Sequence, residues 1–142
     1  MASTLATKYN KVVYNITDST SAKPDFSILI YPVISMDETI THKGSKTNLL
    51  GKSPSKKMIE EYSNEKKVDS LTSPTFIIHA TDDKCVTVEN SINYYLALKN
   101  NKVSAELHLY EKGGHGFGLG KQDIIQFWTK NCENWLKANQ LF

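Results

Sequence analysis

Residues 75–110 read TFIIHATDDKCVTVENSINYYLALKNNKVSAELHLY. The run at 75–80 is rich in β-branched and aromatic residues and has almost no polar face. That is the pattern of a strand buried on both faces, as in a parallel sheet. Asp82 and Asp83 end it. Residues 88–99 then carry Val88, Ile92 and Tyr95 or Leu96 at helical spacing, and Asn100-Asn101 stop the helix. Residues 105–110 alternate weakly and read as the next strand. A strand, a helix and a strand in this order form a right-handed unit with parallel strands.

Upstream, residues 26–34 (FSILIYPVI) form another continuous apolar run after the turn residues Pro24 and Asp25. They predict a further buried strand, and residues 2–9 predict a helix before it. Between the strands lies a polar excursion at about 37–70, rich in Lys, Ser, Asn and Gly. It contains one short helical pattern near Pro54–Tyr62, with Ser53 as its cap and Pro54 at its first position. Such an excursion suits a lid or a pocket wall. Downstream, GGHGFGLG at 113–120 is followed by an amphipathic helix over 122–138, with Ile124, Trp128, Cys132 and Trp135 on one side. The whole is an α/β chain with a parallel sheet and flanking helices in three layers. Residues 1–142 make one domain by length.

Composition narrows the function classes. The hydrophobic fraction of 39% and aromatic fraction of 10% are those of a globular protein. The net charge of +2 implies no nucleic-acid partner. All 17 basic residues are lysine, so bidentate arginine recognition of phosphate is excluded. No stretch approaches a membrane span, and MASTLATKYN lacks the apolar run of a signal peptide. Cys85 and Cys132 form no CxxC, which points to a reducing, cytoplasmic setting with structural thiols. The sequon at Asn15-Ile16-Thr17 is discounted because no secretion signal is read in the sequence. His42, His79, His108 and His115 lack metal-ligand spacing, so no metal is expected.

The chemistry sits at two strand ends. In parallel sheets, sites lie beyond the carboxyl ends of the strands. Asp82 and Asp83 follow the strand at 75–80, and His115 follows the strand at 105–110. An acid and then a histidine, in this order, are two members of a hydrolase triad. The acid holds the imidazole tautomer, and the histidine moves the nucleophile's proton. On spacing alone, a triad histidine and a turn histidine among glycines fit equally well. Only one aspartate can face the histidine; the other braces or caps the turn. His79 reads as a satisfied core histidine, His108 as facing outward, and His42 as solvated. A serine nucleophile requires G-x-S-x-G on a strand-to-helix turn. The nearest approach, Gly51-Lys52-Ser53-Pro54-Ser55, lacks the second glycine and reads as a helix start.

HATDDKCVTVENS and AELHLYEKGGHGFGLG, with PDFSILIYPVISM and THKGSKTNLLGKSPS, resemble the acetyl-xylan-esterase and feruloyl-esterase-like branch of the α/β-hydrolases. That branch is related to dienelactone hydrolases and prolyl oligopeptidases. The resemblance covers nearly the whole chain and implies the C-terminal part of that fold. It implies that Asp82, the first of the pair, is the catalytic acid and His115 the catalytic base. It also implies that ASTLATKY is similar to the helix after the nucleophile elbow, so that residue 1 falls just past the serine. One departure is Thr87, where the family usually has proline.

The implied activity is carboxylic ester hydrolysis on a small-molecule or carbohydrate ester, needing no cofactor. A truncated, non-catalytic remnant or binding module and a peptidase-like hydrolase are the alternatives. Self-association is expected through the edge of the strand at 26–34, left without its upstream neighbour.

Overall fold

The computed structural model describes residues 2–11, 20–119 and 127–141. Helix α1 (Ala2–Lys8) leads into strand β1 (Ser27–Ile30). The excursion holds α2 (Lys43–Leu50), α3 (Lys56–Tyr62) and a 3-10 turn at Asn64–Lys66. Strand β2 (Thr75–Ala80), α4 (Glu89–Asn100), β3 (Ala105–Tyr110) and α5 (Trp128–Ala138) complete the order. The sheet runs β1-β2-β3 and is parallel throughout, with Ile30 opposite Ile78 and Ile78 opposite His108.

β2 is central and buried along its whole length. Its side chains alternate between the two faces of the sheet. Phe76, Ile78 and Ala80 pack with Trp128, Cys132, Trp135 and Leu136 of α5. Ile77 packs on the opposite face with Leu29, Ile34, Tyr94 and Leu98, the last two from α4. Each large apolar side chain removed from water in this way stabilises the fold by about 1.5–3 kcal/mol. Helices therefore cover both faces, as the continuous apolar run at 75–80 requires.

β1 is shorter than the run at 26–34 implies. Tyr31 takes a left-handed backbone, φ 40°, and Pro32 has no N–H to continue the ladder. Beyond them the chain leaves the sheet, and the backbone N–H groups of Ile34 and Ser35 are satisfied by Oδ1 of Asn90, each at 2.9 Å. The amide nitrogen of Asn90 donates to the carbonyl oxygens of Ile40 and Thr87 at 2.7 and 3.1 Å. A single buried side chain thus ties the start of the excursion to the first turn of α4. The outer edge of β1 has no strand partner among the described residues.

The excursion is more regular than its composition suggests. α2 is capped by His42, whose Nδ1 accepts the N–H of Ser45 at 3.3 Å; His42 is half-buried rather than solvated. The cap of α3 is Ser55, not Ser53: its Oγ accepts the N–H of Met58 at 3.3 Å, and Pro54 lies outside the helix. Asn64 donates to the hydroxyls of Ser3 and Thr4 at 2.9 and 3.0 Å and so binds α1 to the excursion. The sequon at 15–17, Gly120 and the part of the C-terminal helical pattern before Phe127 lie outside the described residues.

Candidate active site

Both loops expected to carry chemistry leave the same end of the sheet. After Ala80 the chain turns at once, with the N–H of Asp83 donating to the carbonyl of Ala80 at 3.2 Å. This turn carries the Asp83 side chain inward, where it has no exposed area. Its Oδ1 accepts the backbone N–H groups of Cys85 and Val86 at 2.8 and 2.9 Å. Its Oδ2 lies 2.7 Å from Nδ1 of His115 and 3.2 Å from Nε2 of His79. Burial pushes the Asp83 carboxyl up, but the N–H of Val86, the His115 ring and the N–H of Cys85 together hold it below the ordinary carboxylate value.

The acid in contact with His115 is therefore Asp83, whereas the expectation named Asp82. Asp82 is only half-buried, and its Oδ1 accepts the N–H of Gly114 at 2.8 Å. It braces the glycine loop rather than the imidazole. Neighbouring residues in a turn project in different directions, and the bond from Asp83 N–H to Ala80 decides which one enters the interior. The pattern Asp-Asp contains no local signal for that choice.

His115 lies between two left-handed glycines, Gly114 at φ 60° and Gly116 at φ 82°. Such backbone is strained for a residue with a Cβ, so the glycines allow the loop to double back over the β2 turn. The ring of His115 packs on Tyr31, centroids 4.6 Å apart, and Tyr31 in turn meets Phe117 edge-on at 4.8 Å. Tyr31 reached this position through its left-handed backbone at the end of β1, and the strand pattern at 26–34 did not reveal it.

An ionised carboxylate can only accept, so Nδ1 of His115 carries a proton, and in the neutral ring Nε2 holds the lone pair. The His115 side chain is 34% exposed, whereas the Asp83 side chain has no exposure. The arrangement is a buried acid holding a reachable base. Chemically it can draw a proton from a hydroxyl and return it.

The other three histidines make different contacts. His79 is fully buried and hydrogen-bonded, as a satisfied core histidine should be. His108 is half-buried rather than outward-facing, bonds Glu106 at 2.6 Å, and lies against the ring of Phe76. Ser53 is exposed and Ser55 is engaged as a helix cap. A cavity of about 560 Å³ lies away from His115, along β1 between α1 and α2, lined by Ala2, Ile28, Ile30, Met36 and Leu49. Among the described residues, no cluster of His, Cys, Asp and Glu could hold a metal ion, and no helix is long and apolar enough to cross a membrane.

A three-stranded parallel sheet covered by helices, with an acid and a histidine at the ends of adjacent strands, is the architecture of the α/β-hydrolases. A model of the prolyl oligopeptidase family matches residues 26–140, and the chain belongs to that family. It is 45% identical over 125 residues to an acetylxylan esterase of Xylanibacter ruminicola, covering 82% of this chain and 25% of that protein. It is 34% identical over 109 residues to an endo-1,4-beta-xylanase B of Butyrivibrio fibrisolvens, covering 77% of this chain and 17% of that one. Among solved structures, it is similar to the acetyl ester-xyloside bifunctional hydrolase of Caldicellulosiruptor lactoaceticus, with a TM-score of 0.91 and 38% identity. That match covers 98% of this chain and 52% of the other. The chain thus spans about half of that solved structure's chain and a quarter or less of the curated relatives.

Proposed function

We propose that this chain supplies the acid and base of a serine-hydrolase site that cleaves carboxylic esters, with acetylated carbohydrate as the substrate class. The observation that carries the reading is the 2.7 Å contact between buried Asp83 and Nδ1 of the partly exposed His115. In the reaction, Nε2 takes the proton of a serine hydroxyl as its oxygen attacks the acyl carbon. The same proton passes to the leaving alcohol as the ester bond breaks, and water repeats the sequence on the acyl-enzyme. Asp83 holds the imidazole in the Nδ1–H form and stabilises its transient positive charge.

The reading requires a serine hydroxyl and oxyanion donors beside the His115 ring. The apolar outer edge of β1 belongs to the same reading: a strand from outside this chain, or a second copy of it, pairs there. The relatives named as acetylxylan esterase and acetyl ester hydrolase support the acetyl-carbohydrate substrate. The free thiols of Cys85 and Cys132 support a reducing compartment.

The test is a hybrid in which the part of the Caldicellulosiruptor hydrolase that this chain does not cover precedes residue 2. It should release acetate from acetylated xylan and hydrolyse p-nitrophenyl acetate. His115→Ala should lower its kcat about 10²–10⁴-fold. Full activity in the His115→Ala hybrid would overturn the assignment. Faster turnover of a prolyl anilide than of either ester would move the reading to a peptidase.

A further inference from the structure

Asp83 is held by two imidazoles, and only one of them is reachable from outside. On the solvent side stands His115; on the core side stands His79, in β2, with no exposed surface. The Nε2 of His79 lies 2.9 Å from the carbonyl oxygen of Val86 and 3.2 Å from Oδ2 of Asp83. Both partners are acceptors, so Nε2 must carry the proton. Nδ1 is then the acceptor, and it takes the hydroxyl proton of Ser91 at 2.7 Å. Ser91 is itself fully buried in the first part of α4. The chain Ser91–His79–Asp83–His115 thus crosses from the helix layer through the sheet to the site, with every bond in a defined direction.

We propose that His79 is a positioning residue for the Asp83–His115 pair: its Nε2–H, oriented by Ser91, holds Oδ2 of Asp83 from the buried side and fixes the carboxylate plane toward His115. The inference rests on the esterase reading and adds to it a residue that touches no substrate. Oδ1 is pinned by two backbone N–H groups, at Cys85 and Val86. With only Oδ1 held, coupled rotation about the Cα–Cβ and Cβ–Cγ bonds can still pivot the carboxylate about Oδ1 and move Oδ2. The His79 contact removes that freedom. Small misplacement of a catalytic group costs rate steeply, which is why a fixed carboxylate matters.

Burial is the chief reason that the His79 ring is held below the ordinary histidine value, opposed by the Val86 carbonyl and by Asp83. The ring therefore stays neutral through the range in which an esterase base operates, and keeps the single proton that the geometry needs. A cationic ring would donate from Nδ1 as well and reverse the Ser91 bond.

The experiment compares three replacements in the hybrid hydrolase and in the full chain. His79→Gln keeps an N–H donor in reach of Oδ2. The double variant His79→Leu with Ser91→Ala removes donor and hydroxyl together, so that no side-chain hydroxyl is left unpaired. Ser91→Ala alone leaves the imidazole without its tautomer partner. The expected result is kcat within about threefold of the parent for His79→Gln and at least about tenfold lower for the double variant, with KM unchanged in both. Ser91→Ala should fall between them. In proton NMR of the full chain, the low-field Nδ1–H signal of His115 should persist in His79→Gln and broaden in the double variant.

A purely structural role would lower kcat in proportion to lost thermal stability, with His79→Gln as damaging as the double variant; that result overturns the proposal. So does an unchanged kcat in the folded double variant. Should the double variant not fold, unchanged kcat in Ser91→Ala overturns it equally. His115→Ala, run beside these, separates the two claims. If it leaves activity intact, the esterase assignment fails; if it abolishes activity while the His79 variants do not change it, only this inference fails.

Discussion

The turn after β2 and the loop after β3 each deliver one half of the Asp83–His115 pair, by opposite means. The β2 turn is rigid by saturation: both oxygens of Asp83 have two partners each, two from backbone and two from imidazoles. The strand behind it is buried along its full length. The β3 loop is held by scattered ties: left-handed glycines, the brace from Asp82 to Gly114, the Trp128 indole N–H on the Gly118 carbonyl at 3.0 Å, and ring contacts on Tyr31. Its strand lies at the sheet edge and none of its residues is classed as fully buried. The difference follows the chemistry. An orienting acid gains from being dry and immobile, whereas a base has to reach a hydroxyl and a leaving group in turn.

The strongest way to break this comparison is to exchange the two aspartates' fates. In the hybrid hydrolase, Asp83→Asn should lower kcat by about 10³–10⁴, because an amide at Oδ2 turns His115 into the wrong tautomer. Asp82→Asn keeps an acceptor for the Gly114 N–H and should cost no more than a few-fold. Equal losses would mean that the brace and the acid are not separable. Asp83→Asn has a second signature. The Asp83 carboxyl lies below its ordinary value, so its stabilisation is present above the unfolded-state value and is lost as pH falls through the lower folded-state one. Acid unfolding of the Asn variant should accordingly be less steep, as read by circular dichroism across that limb.

The two strands should also differ in what they tolerate. Ile77→Ala, in the fully buried centre of β2, should destabilise by about 2–5 kcal/mol in urea unfolding. Leu109→Ala in β3, where the side chain is 43% exposed, should stay within about 0.5 kcal/mol. A large loss at Leu109 would show β3 to be as constrained as β2. The loop itself gives a backbone test. A Cβ at Gly116 meets nothing within 4 Å, so Gly116→Ala tests the backbone alone. The left-handed φ of 82° should cost about 1–2 kcal/mol, with KM unaffected and a several-fold loss in kcat as His115 drifts.

Much of this was legible in the chain. The spans 75–80 and 105–110 match β2 and β3 residue for residue, and α4 falls within one residue of its pattern. A strand that must be dry on both faces has no choice but a continuous apolar run, and an amphipathic helix has no choice but its period. The order of acid before histidine, each just past a strand end, was readable for the same reason. The excursion was read less well. α2 has little amphipathic pattern, since it buries only Lys46 and Leu50, and its cap is a histidine rather than a usual capping residue. β1 ended early because one tyrosine adopts a backbone that no propensity favours.

By itself, then, the sequence determined the parallel sheet, its covering helices and the pair of loops that meet at its carboxyl end, because burial of β-branched runs and helical stripes is a local, repeating constraint. Only the tertiary structure placed Asp83 rather than Asp82 against His115, brought Tyr31 onto the same ring, and put His79 behind Asp83. Those outcomes depend on which way a single turn directs a side chain and on what three separate elements place within hydrogen-bonding distance of it. Neighbouring residues with the same chemistry carry no record of that in their order.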